Sequence, residues 1–101
     1  MCYVMKSYVV AEIASNWEGD LVKAKRLIRE CKNAGAHAVK FQMWRANDLY
    51  SHKHTQWKFI KKSELTFKNA EKLKKYADEQ NIEFFCSAFY PEAVDHLESI
   101  G

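Results

Sequence analysis

Short apolar runs alternate with segments whose apolar residues recur every three or four positions, and this alternation is the clearest pattern in the chain. Tyr8 to Ala14 is an apolar run holding one carboxylate, Glu12, and reads as a buried strand. Asn16 to Gly19 supplies a polar turn. Asp20 can then cap a helix carrying Leu21, Ala24, Leu27, Ile28, Cys31 and Ala34 along one stripe. Gly35 stands where a left-handed residue closes such a helix. Ala36 to Met43 reads as a second strand, with Val39, Phe41 and Met43 as its apolar positions.

Trp44 to Lys62 mixes polar and aromatic residues without a period, and reads as a long connection of the kind that often carries function. Thr66 can cap a second helix through Phe67, Ala70, Leu73, Tyr76 and Ala77, with Asn81 as its terminator. Ile82 to Ala88 makes a third strand. Pro91 suits the first turn of a third helix carrying Val94 and Leu97. The order β-α-β-α-β-α, with no hairpin signal, predicts an α/β fold built on a parallel sheet with right-handed crossovers. No Pro/Gly/Ser-rich linker interrupts it, so residues 1–101 read as one unit.

Composition narrows the class. The chain has 101 residues, 48% of them hydrophobic and only one of them proline, which argues against global disorder. The formal charge of +3 is mild, and runs such as Glu71-Lys72-Leu73-Lys74-Lys75 mix signs as a solvated helix face does. Cys2, Cys31 and Cys86 are odd in number and far apart, so neither a disulfide framework nor a zinc ribbon is indicated, and a reducing, cytoplasmic compartment is expected. No apolar run approaches the roughly 20 residues of a membrane span, and no signal-peptide core is evident.

Chemistry gathers at the strand ends. Side chains alternate along a strand, so Lys40 and Gln42 share one face while Val39, Phe41 and Met43 share the other. The apolar set suits a helix layer, which leaves Lys40 and Gln42 toward the opposite side. Glu12 in the first strand separates in the same way from Ala11 and Ile13, and Phe85 and Ser87 share a face in the third. In parallel α/β sheets, ligands bind beyond the carboxyl ends of the strands. A lysine there is a suitable point charge for a phosphate or carboxylate. Equally, Lys40 and Glu12 could form a structural ion pair between neighbouring strands, and Gln42 could be a satisfied structural amide.

Three motifs in order, Ala11-Glu12-Ile13-x-x-Asn16-x-x-Gly19-Asp20, Ala34-Gly35-Ala36-x-Ala38-Val39-Lys40-Phe41-Gln42 and Ile82-Glu83-Phe84-Phe85-Cys86-Ser87-Ala88-Phe89, resemble the sialic acid synthase family across nearly the whole chain. The resemblance implies the first three units of a TIM-type (β/α)8 barrel. It also implies condensation of phosphoenolpyruvate with an N-acylated hexosamine to give a nine-carbon sugar acid and phosphate, with a divalent metal, manganese or magnesium. Carried over by motif, Glu12 is the first-strand glutamate that contacts substrate, Lys40 holds phosphoenolpyruvate, and Gln42 meets the sugar. Ser87 stands where relatives often carry threonine and offers a hydroxyl to phosphoenolpyruvate, or is simply a small residue fitting a strand end. Asn16 shapes the first strand–helix loop or makes its turn.

Trp17 stands where the family often has histidine and Ala88 where it often has proline, so those family roles are not carried over. A complete barrel needs about 250 residues and eight units, whereas three are present here. The family's metal-binding histidines belong to later strands, so no metal ligand is expected in this chain. His52 and His54 read as surface residues, as do His37, at the start of the second strand, and His96 in the third helix. Open sheet edges predict that the chain is an N-terminal portion, inactive in isolation, that needs the remaining barrel or self-association. The competing reading is a non-catalytic module binding an anion or sugar phosphate. A nucleic-acid interface along His52 to Lys62 is the weakest alternative, because its cations are few and Trp57, Phe59 and Ile60 can dock the loop instead.

Overall fold

The structure, a computed structural model, describes residues 7–101; Cys2 lies outside them. Its elements are β1 (Val10–Ala14), α1 (Leu21–Asn33), β2 (Ala38–Met43), α2 (Ala46–Leu49), α3 (Trp57–Lys62), α4 (Phe67–Glu79), β3 (Glu83–Ala88) and α5 (Pro91–Ile100). The three strands form one parallel sheet in the order β1-β2-β3, so chain order and spatial order coincide. The helix ends follow local chemistry. Asp20 accepts hydrogen bonds from the amides of Val22 and Lys23, and Thr66 accepts one from Asn69. Each satisfies donors that the first turn of a helix leaves unpaired. Gly35 (φ 95°) and Asn81 (φ 56°) adopt the left-handed conformation expected of them just past α1 and α4.

One face of the sheet is covered and the other is open. Ile13, Val39, Phe41 and Met43 are buried against Ala24 and Ile28 of α1, Ala70, Leu73 and Ala77 of α4, and Ala93 of α5. On the opposite face Glu12 and Phe85 are exposed, and Lys40, Gln42 and Ser87 are half-buried. Cys86 lies on the covered face. Burial pushes its thiol up to about 12, with the Glu12 carboxylate adding to the shift and the Lys40 ammonium opposing it.

Three expectations change. The first strand is buried only in part: it begins at Val10, and Tyr8, Val9 and Val10 are exposed because β1 is an edge with no neighbour on its outer side among the described residues, whereas Ile13 lies in the core. The second and third strands also start later, at Ala38 and Glu83, so His37 precedes β2 instead of opening it. The connection from Trp44 to Lys62 holds two short helices, α2 and α3. At four and six residues they are too short for an apolar period to repeat, so periodicity could not reveal them. They are tied down locally. The amide of Ala46 donates to Glu64 Oε2 at 3.1 Å, and Ser63 is buried with its hydroxyl donating to the Phe59 carbonyl at 2.9 Å.

The outer edge of β3 is unpaired among the described residues. A groove of about 300 Å3 runs along it, lined by Phe85, Cys86, Val94, Leu97 and Ile100.

Gly19 joins the first loop to α3. Its φ is 75°, and a Cβ there would clash with the Lys62 carbonyl oxygen, a backbone atom that cannot swing aside. Gly19→Ala is expected to destabilise the fold by at least about 2 kcal/mol, since left-handed strain and a backbone clash add; an unchanged denaturation midpoint would remove this contact from the account. Cys86 is expected to react with iodoacetamide at pH 8 at least about 100-fold more slowly in the folded chain than after denaturation, because the thiolate is the nucleophile. Peptide mass spectrometry reads the rate at this one cysteine, and similar rates in both states would contradict the burial.

Candidate functional site

Strand register brings the predicted residues together. Glu12 of β1 is paired with Lys40 of β2, which is paired in turn with Phe85 of β3. One step toward the carboxyl rim, Gln42 is paired with Ser87. Parallel partners point to the same face, and neighbouring strands lie about 4.8 Å apart with residues two apart separated by roughly 6–7 Å. Glu12, Lys40, Gln42 and Ser87 therefore occupy one small patch on the open face. Alternation places them there, because the residues between them are the ones the helices cover.

A bulge ends β1. Between Glu12 and Ala14 the register slips by one residue against β2, and Ala14 takes a φ of 52°. Bulges of this kind re-aim the chain at sheet rims. Here the turn continues with the Asn16 amide donating to the Ile13 carbonyl at 3.0 Å. Asn16 is exposed at this corner, and its main chain makes the turn. Ser15 is directed to the neighbouring strand end, where its Oγ accepts the indole N–H of buried Trp44 at 3.1 Å.

Glu12 and Lys40 face each other in register, yet neither joins an ion pair within 4 Å to another described residue. Both charges act on the Cys86 thiol from across the sheet, in opposite directions. The patch thus holds an ammonium, a carboxylate, an amide and a hydroxyl whose side chains form no ion pair or hydrogen bond with another described residue. Such a set can hold an anion on Lys40 while presenting hydrogen-bonding groups beside it.

The histidines are engaged elsewhere. His37 Nδ1 accepts the Val9 amide at 2.8 Å, and its ring stacks on Tyr8. His52 Nε2 lies 2.8 Å from Asn47 Oδ1, and the His52 ring packs against Trp57. His54 Nδ1 accepts the Gln56 amide at 3.0 Å. His96 stacks on Phe67 at 4.2 Å and also lies 3.6 Å from Glu71, so both His37 and His96 have partners that the sequence did not reveal. No group of three His, Cys, Asp or Glu side chains able to hold a metal ion occurs among the described residues. The residues present therefore do not fit a divalent metal centre.

Two features escaped the sequence reading. Trp17 is a core residue, 1% exposed and edge-on to Phe41, with its indole nitrogen lacking a hydrogen-bond partner among the described residues. The second is a cleft of about 340 Å3 beside Gln42, roofed by α2 and α3. The only sequence signal for it was the aromatic content of a segment without a period.

Comparison with known proteins places this geometry in a family. The model of the NeuB family matches residues 27–101. The chain is 32% identical to the N,N'-diacetyllegionaminic acid synthase of Legionella pneumophila, over 96% of the chain and 31% of that protein. It is 29% identical to the human N-acetylneuraminate-9-phosphate synthase, over 93% of the chain and 30% of that protein. The crystal structure of an N-acetylneuraminic acid synthetase from Leptospira borgpetersenii, in complex with citrate, superposes with a TM-score of 0.85 at 31% identity, covering 93% of this chain and 33% of that one. The chain therefore spans about a third of the length of the relatives it matches. With three-quarters of its residues inside the family match and its parallel strands superposing on a solved synthetase, the chain belongs to the NeuB family of sialic acid synthase-like proteins.

Proposed function

We propose that this chain supplies the first three strand ends of a synthase site that joins phosphoenolpyruvate to an N-acylated hexosamine, yielding a nine-carbon sugar acid and phosphate. The observation carrying the reading is the register row Glu12–Lys40 with Gln42–Ser87 beside it, on the sheet face the helices leave open. Lys40 holds the anionic phosphoenolpyruvate, and the Ser87 hydroxyl donates to it. Gln42 meets the sugar, and Glu12 accepts from a substrate hydroxyl. Asn16 shapes the loop at the end of β1. Any divalent metal in the reaction, manganese or magnesium, takes its ligands from outside the described residues, and no step is assigned to it here.

Further strands add at the open edges of β1 and β3, from the rest of a barrel or from another copy, and in their absence the chain binds without turnover. A second reading, an anion or sugar-phosphate binding module, rests on the same register row, which offers an anion-binding ammonium with hydrogen-bonding groups beside it. In both readings the acting surface is the same patch, at the carboxyl rim of the sheet. No helix among the described residues is long and apolar enough to cross a membrane.

Calorimetry with phosphoenolpyruvate tests the role of Lys40. Lys40→Ala is expected to weaken binding about 10- to 100-fold, since a hydrogen bond to a charged group contributes about 1.5–3 kcal/mol. Lys40→Arg should recover part of the loss through its retained charge. Equal affinity of the alanine variant would remove the anion site from β2. Phosphate release by the chain with phosphoenolpyruvate, N-acetylmannosamine and manganese tests the inactivity expected in both readings: turnover by the isolated chain overturns it and the binding module with it. A double-mutant cycle of Glu12→Gln with Lys40→Met is expected to show stability coupling below about 0.5 kcal/mol, as for residues that do not pair. Coupling well above that would make the two a structural ion pair instead.

A further inference from the structure

The outward side of the helix layer sorts its charges more sharply than the sequence does. In α4, Glu71 is turned to His96 at 3.6 Å and Asp78 is held by Lys74 at 2.7 Å. Lys68, Lys72 and Lys75 join no ion pair with a described residue, and their spacing puts all three, exposed, on one stripe. Lys25 of α1 adds another unpaired ammonium, 5.6 Å from the centre of the Tyr76 ring. A hollow of about 340 Å3 lies between the two helices. Leu21 and Tyr76, half-buried, supply its apolar surface; Lys25, Lys72 and Lys75 surround it, and Glu79 is its one carboxylate.

Helix α5 has the opposite character. It carries no lysine or arginine, and Glu92, Asp95 and Glu98 are exposed without an ion pair to a described residue. Helical spacing puts Val94, Asp95 and Glu98 on one side, and Val94 is 44% exposed there. Its one histidine, His96, is turned instead to Phe67 and Glu71 of α4. Because α4 packs between α1 and α5, this ridge cannot reach the hollow of its own chain. We propose that it docks in the α1–α4 hollow of a second copy, with Val94 against Leu21 and Tyr76, and Asp95 and Glu98 among Lys25, Lys72 and Lys75. A helix side with an apolar knob and two carboxylates matches a hollow with apolar walls and three ammonium groups. The contact joins two different surfaces, so copies can add in succession. It lies on the helix layer, on the other side of the sheet from the Glu12–Lys40 row, and does not depend on the synthase reading.

Sedimentation velocity on the whole chain tests this, at concentrations up to about 1 mM because exposed ion pairs contribute little each. Association is expected at about 50 mM salt, with a dissociation constant at least about 10-fold higher at about 500 mM, where screening is strong. Lys72→Glu with Lys75→Glu should leave a monomer, as should Asp95→Lys with Glu98→Lys, since like charges then meet. An equimolar mixture of these two double variants should associate again, because each contact between them is either native or has its charges exchanged. If the first variant fails to fold, Lys72→Gln with Lys75→Gln should weaken association without reversing the charge. A wild-type chain that stays monomeric throughout overturns the proposal. So does association indifferent to salt and to charge reversal, which moves the contact to the open sheet edges, and so does a mixture of the two folded variants that stays monomeric.

Discussion

The pairing of β2 with a strand on each side is the constraint on which the rest of the molecule depends. β2 is the one strand among the described residues with both edges occupied, and from Val39 onward its faces alternate: Val39, Phe41 and Met43 are fully buried, while Lys40 and Gln42 are not. A one-residue slip would turn Lys40 and Gln42 into the helix layer and expose three apolar side chains. Burying an unpaired ammonium costs several kcal/mol, and losing three apolar side chains to water about 1.5–3 kcal/mol each. The register that makes the core is thus the register that assembles the polar patch. Neither can shift without the other.

Much of this was legible because it rests on local chemistry. Asp20, Thr66, Gly35, Asn81 and Pro91 each act through their own backbone or the adjacent turn, and each stands where its chemistry predicts. The patch was legible because the faces of a strand follow from counting. What escaped depends on neighbours. The exposure of Tyr8, Val9 and Val10 follows from the position of β1 at the sheet edge, which composition does not encode. The bulge after Glu12 is a misfit between two strands, invisible in either alone. Trp17 offered an aromatic residue in a polar turn, and only packing against Phe41 shows that it closes the core.

The segment after β2 shows how a stretch without periodicity can still be well ordered. It is held by single contacts: Glu64 on the Ala46 amide and Arg45 stacked 4.0 Å over the Tyr90 ring. The Gly19–Lys62 approach ties its far end back to the first loop. The turn carrying Asn16 and the helix carrying Phe59 are therefore mechanically joined, so a ligand that displaced one would load the other.

The identity between chain order and strand order bears on synthesis. Each strand pairs with the one made immediately before it, across a single intervening crossover. The loops to be closed are consequently short, and the entropy cost of closure grows only slowly with their length. A chain emerging from the ribosome can add β2 to β1, and then β3 to β2, without waiting for a distant segment. At every stage the growing edge is the strand most recently completed, so assembly proceeds as accretion in one direction, with its momentary vulnerability always at the leading edge.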